Sequence, residues 1–120
     1  MASTMRVRNL SRDADLADRA TVADNFWRRL RGLLGRDGLE TGEGLVITPC
    51  NSVHMLGMKF ALDVLYLDRK GTVLRTLTEL RPGQFGPVVW GSHMAVELPV
   101  GTIAATGTLP GDQVALEPVA

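Results

Sequence analysis

The chain has 120 residues, 45% of them apolar, and its 13 basic and 13 acidic residues cancel. That length fits a single domain over 1–120 with one compact core, and the apolar share excludes a disordered chain. Zero net charge argues against nucleic-acid and anionic-membrane partners, whose phosphates are usually met by a positive excess. Cys50 is the single cysteine, so no intrachain disulfide or CxxC zinc arrangement can form. No apolar run reaches the ~20 residues of a membrane span, and none of signal-peptide type follows Arg6 and Arg8. Cytoplasmic residence is the expectation.

In chain order, residues 5–10 alternate apolar and polar, the period of a half-buried strand. Residues 11–20 are polar, acidic and Ala-rich, and read as a loop with a short helical turn. Thr21 then suits an N-cap, with Asp24 at the third helical position. Val22, Phe26, Leu30, Leu33 and Leu34 form one apolar helical stripe, with Gly35 as the residue that stops it. Beyond Gly35, Gly and Pro divide the chain into short runs rich in β-branched or alternating residues. Strands are expected over 45–48, 52–55, 62–68, 72–80, 94–98 and 113–117. Asp68-Arg-Lys-Gly71 reads as a hairpin loop. The expected fold is mainly β, α+β by content: an antiparallel sandwich or barrel-like domain, with the early amphipathic helix covering a face or an open end.

The chemistry concentrates between Pro49 and Asp63. Strand periodicity places Cys50, Ser52 and His54 on one face, about 7 Å apart, with Asn51, Val53 and Met55 on the other. Asp63 shares its face with Leu65 and Leu67, where a carboxylate is costly unless hydrogen-bonded or paired. Its candidate partners are His54, Arg81, Arg31 and Arg36, and a purely structural Asp63 would tie down the 59–61 turn. Cys50 has no neighbouring His or Lys and no following helix start to lower its pKa. Cys50, His54, Met55, Met58, His93 and Met94 carry the donor types that suit copper(I), yet scattered Met in a β protein is commonly core filler; no metal or cofactor is expected. Glu97 with Asp63 would make a glycosidase-type pair only if the fold brought them together. GxGxxG and Walker spacings are absent, so nucleotide binding has no support. Trp90, after Phe85, Val88 and Val89, either closes one end of the core or belongs to a surface patch for a protein partner.

Several stretches, in order, resemble one family. Arg31-Gly-Leu-Leu-Gly-Arg36 is similar to an RGLMxR helix end, and Val53-His-Met-Leu-Gly-Met58 to I-H-T-x-x-M. Residues 61–68 resemble I-D-V-x-F-x-D, 96–101 resemble L-E-L-x-A-G, and Gly111-Asp-Gln-Val resembles G-D-x-V; Gly44-Leu-Val-Ile also fits. These motifs are those of the DUF192 family of small bacterial and archaeal proteins, over about residues 20–120. Leu34 stands where Met is usual, and Met55 where a hydroxyl residue is usual. The resemblance implies a small β-sandwich or barrel-like domain with a helix, and implies no reaction. It adds weight to His54, Met58 and Asp63, and none to Cys50 and Ser52.

Three functions are compatible with these residues. The leading one is a non-catalytic binding domain, with Cys50, Ser52, His54, Met58, Asp63 and Glu97 lining or supporting a pocket for a small polar ligand. The second is a hydrolase or lyase with His54 as base, oriented by Asp63. The third is a structural or partner-binding protein.

Overall fold

The computed structural model describes residues 4–24, 33 and 35–119. Seven strands form one sheet: β1 Thr4–Asn9, β2 Ala14–Ala23, β3 Glu43–Ile47, β4 Leu62–Leu67, β5 Val73–Leu80, β6 Met94–Leu98 and β7 Val114–Pro118. A short helix, α1 Thr102–Thr106, lies between β6 and β7. The strand order is β5-β4-β6-β3-β2-β1-β7. The fold is mainly β and barrel-like as expected; neighbours are antiparallel except β2 and β3, which run parallel, so the sheet is mixed. The outer strands β5 and β7 meet at one corner. There Val73 N–H donates to Asp112 O (2.8 Å) and Val114 N–H to Gly71 O (2.9 Å), curling the sheet toward a barrel.

Each face of the sheet packs a core. Leu65, Leu67, Val46, Val96, Leu98 and Ile103 belong to the first, and Leu45, Ile47, Val64, Tyr66, Met55 and Met58 to the second. β4 runs between the two, so all six of its residues are buried. Its nearly unbroken apolar sequence follows from that position, each large side chain contributing about 1.5–3 kcal/mol of burial. The 68–71 loop joins β4 to β5 as expected. Asp68 Oδ1 accepts the amides of Lys70 and Thr72 (both 2.9 Å), and Gly71 takes a left-handed φ of 84°.

Three local expectations differ. Residues 11–20 do not form a loop with a helical turn: from Ala14 they belong to β2, the longest strand. Leu16, Ala17 and Ala20 are buried while Asp15, Asp18 and Arg19 face out. Asp15 pairs across to β1, with Arg6 at 2.7 Å and Arg8 at 3.1 Å, so charges that looked like a loop are the solvent side of a strand. Thr21 lies inside β2 and is not an N-cap. Most of the expected helix, including Phe26, Leu30 and Leu34, lies outside the described residues; Leu33 is helical and buried in the second core. Residues 52–55 are not a strand either: only His54 forms a bridge, to Phe85.

A buried polar cluster ties β1 to the turn before β7. Asn9 Nδ2 donates to Thr108 Oγ1 (2.9 Å) and Asp112 Oδ2 (3.0 Å), and Arg12 Nε donates to Asp112 Oδ2 (2.9 Å). Arg12 first, then Asn9, hold the Asp112 carboxyl down to about 2 from its ordinary 3.8. A depressed folded-state pKa gives stability that is complete above the unfolded value and lost as pH falls through the folded one. The urea midpoint is therefore expected to drop between about pH 4 and pH 2, and to drop less in Asp112→Asn.

Candidate functional site

Asp63 is 1% exposed and faces the first core, because its register partner is Leu98. Its carboxylate accepts three backbone amides: Glu79 at Oδ1 (3.0 Å), and Gly101 (3.1 Å) and Ile103 (3.0 Å) at Oδ2. The last two belong to the start of α1, whose cap residue Gly101 has no side chain to offer; β4 supplies the acceptor instead. The first fixes an irregularity of β5, where the β4 register shifts between Leu62 and Val64 and Glu79 takes φ 54°. Asp63 thus ties β4 to its hairpin partner β5 and to the distant start of α1, and the segment it holds is not the 59–61 turn.

The cations considered as its partners lie elsewhere. Arg36 forms a two-pronged pair with Glu43 (2.7 and 3.2 Å), which draws the Glu43 carboxyl below its usual range. Arg81 reaches Glu79 at 3.3 Å on the surface. Arg31 lies outside the described residues. Glu97 is fully buried and faces the second core, with register partners Leu45 and Val64. Asp63 and Glu97 therefore point to opposite faces of the sheet, which does not assemble a glycosidase-type pair.

The alternation expected from Cys50 to Met55 holds only in part, since Asn51, expected beside Val53 and Met55, is exposed. Val53 and Met55 are buried in the second core, Cys50 and His54 are half-buried, and Ser52 is exposed. These residues border a cleft of about 220 Å³ lined by Ile47, Pro49, Cys50, Asn51, Ser52, Val53 and His54. A second hollow of about 290 Å³ shares Pro49, Cys50 and Asn51 and adds Ser92. The Cys50 thiol donates to Ser52 O (3.1 Å), and Ser92 Oγ to Cys50 O (2.8 Å), so the lining backbone is held in place. Of the expected site residues, the cleft gathers Cys50, Ser52 and His54. Met58, Asp63 and Glu97 lie in the cores.

Sequence reasoning missed three neighbours of this cleft. Phe85 lies against His54, ring centroids 6.2 Å apart. Tyr66, beneath, directs its hydroxyl to Pro87 O (3.4 Å), and burial pushes its phenol above the usual value. Asn51 supplies an exposed amide. The Gly86-Pro87 pair was the available signal: a Cβ at Gly86 would stand 2.5 Å from the Tyr66 hydroxyl, so only glycine lets the 81–91 segment lie this close.

The methionine donors considered for copper(I) are divided between the two cores. Met55 and Met58 sit in the second core, Met94 packs on the first, and His93 Nε2 lies 3.3 Å from Thr48 Oγ1. Among the described residues no three of His, Cys, Asp and Glu come together. No helix among them is long and apolar enough to cross a membrane.

A curled mixed β-sheet with a small helix and a shallow cleft is the architecture these observations define. Residues 7–116 match the model of the DUF192 family, described as "Uncharacterized ACR, COG1430", and the chain belongs to that family. A UPF0127 protein of Thermococcus sibiricus is 31% identical over 100 residues, which span 80% of this chain and 64% of that protein. The fold is shared with a crystal structure of a protein of unknown function from Novosphingobium aromaticivorans. That likeness has a TM-score of 0.78 at 21% identity, covering 95% of this chain and 84% of the other. It is also shared with a Sinorhizobium meliloti protein provisionally named a transcription regulator, with a TM-score of 0.75 at 22% identity, covering 97% and 94%. At these identities the two structures speak for the fold alone.

Proposed function

We propose that the chain is a non-catalytic binding domain that holds a small polar ligand in the cleft between Pro49 and His54. The observation that carries this reading is the cleft itself. A thiol, an amide, a hydroxyl and an imidazole from Cys50, Asn51, Ser52 and His54 surround one opening beside apolar Ile47 and Pro49. Its volume of about 220 Å³ is below the roughly 300–1,000 Å³ of pockets that take drug-sized molecules, which limits the ligand to a few heavy atoms. No carboxylate stands among these lining residues, so a neutral or anionic ligand fits better than a cation. In this reading Asp63 and Glu97 support the framework and do not touch the ligand. A binding role is favoured over an enzyme because Asp63, the carboxylate needed to orient His54, spends both oxygens on backbone amides at the opposite face.

Thermal melts against small polyols, amides and carboxylates test the proposal. A compound that raises the wild-type midpoint is expected to leave Ser52→Leu, which fills the opening at an exposed position, unshifted. Stabilisation that survives Ser52→Leu, or turnover of the compound, would count against it.

A further inference from the structure

Several of the large apolar side chains left in water lie on one arm. Residues 81–91 run beside 51–55, held by Met55 N–H to Gln84 O (2.8 Å), Gly83 N–H to Met55 O (2.9 Å), Gly86 N–H to Val53 O (2.7 Å) and Val89 N–H to Asn51 O (2.9 Å). Phe85, Val88 and Trp90 on this arm are 67%, 55% and 88% exposed, and Leu56, next to Met55 in the chain, is 49% exposed. Val89, between two of them, packs against the second core, so the extended backbone turns Val88 and Trp90 outward. The close contact of Gly86 with Tyr66 fixes the arm from below. Trp90 does not close the core.

The exposed area is of a size that proteins use. Each aromatic ring offers about 150–250 Å². With Leu56 and Val88 the arm reaches the roughly 300–600 Å² of the largest patch on a typical monomer, which is often functional. It falls short of the ~800 Å² per partner of a standard interface, as befits docking of a short segment. Charge narrows the occupant. Residues 51–60 and 80–91 contain no Asp or Glu, while Lys59 and Arg81 are exposed. Arg81 leans on Glu79 in a pair more than half exposed on both sides, which an incoming carboxylate can replace. A second copy docked patch to patch would oppose like charges.

We propose that this arm is a docking surface for an acidic protein segment carrying aromatic or aliphatic side chains, with Trp90 and Phe85 as anchors and Lys59 and Arg81 at the rim. The claim is independent of the ligand assigned to the cleft. Fluorescence anisotropy of synthetic peptides with Glu and Asp interleaved with Trp, Phe and Leu, added to the full chain, tests it. Gln-substituted and Ser-substituted versions of the peptides are the controls. Binding is expected to weaken about tenfold or more in Trp90→Ser and in Phe85→Ser, to fall in Lys59→Glu, and to weaken with salt. All three positions are exposed, and Val88→Ser gives a further variant should one of them lose its fold.

Peptide affinity unchanged in Trp90→Ser and Phe85→Ser, or equal for the Gln-substituted peptides, would overturn the proposal. So would sedimentation showing a dimer that Trp90→Ser abolishes, which assigns the arm to a second copy. Binding to phosphatidylglycerol vesicles lost in the same variant, without peptide binding, would assign it to a bilayer and likewise overturn the claim.

Discussion

Asp63→Ala is expected to lose about 3–5 kcal/mol of stability, read from urea or guanidinium midpoints. Three amides now end on one carboxylate, and hydrogen bonds of this kind are worth about 1.5–3 kcal/mol each. The variant leaves those donors unmet, with little water able to replace an acceptor that is 1% exposed. Domains of this size are held by about 5–15 kcal/mol, so the loss is a large share of the whole. Asp63→Asn keeps the shape and one acceptor oxygen but turns an NH2 group toward a donor, and should fall between. Hydrogen exchange adds a local signature: the amides of Glu79, Gly101 and Ile103 should lose protection first. A midpoint within about 0.5 kcal/mol of wild type would contradict the structural role described for this residue.

Gly71→Ala is the second large effect, with an expected loss of about 2 kcal/mol or more. Two costs add. Gly71 has φ 84°, where an L side chain is strained by roughly 1–2 kcal/mol, and its Cβ would run into Val114 O across the β5–β7 corner. That carbonyl belongs to backbone and cannot swing away as a flexible side chain would. Gly83→Ala separates the costs, because Gly83 has a similar φ of 81° and open space around its Cβ position. Its loss should be about 1 kcal/mol. Equal losses at the two glycines would mean that the corner yields, and that closure of the sheet there matters little.

What was legible in the sequence was mostly local. The 68–71 hairpin loop depends on residues within a few positions and appears in the structure; of the alternation expected from Cys50 to Met55 only the burial of Val53 and Met55 remains, and Asn51 is exposed. β2 was misread because its buried positions are mostly alanine, Ala17 and Ala20 in the first core and Ala23 in the second, and small side chains between Asp15, Asp18 and Arg19 give a weak apolar rhythm. Its parallel pairing with β3 depends on a long connection rather than a turn, so no short signal announces it. Asp63 was recognised as a carboxylate on an apolar strand face, but its donors come from residues 79, 101 and 103 and only the fold brings them together. The same holds for Glu97: periodicity on β6 alone cannot show that it faces the opposite core from Asp63.

Amide chemical-shift mapping tests the central claim most directly. The 15N-labelled full chain is titrated with the small polyol, amide or carboxylate that gives the largest thermal stabilisation. The account predicts saturable shifts at Asn51, Ser52, Val53, His54 and Ser92, while Glu79, Gly101 and Ile103 around Asp63 stay in place. Shifts centred on those three amides, with the cleft unmoved, would contradict it.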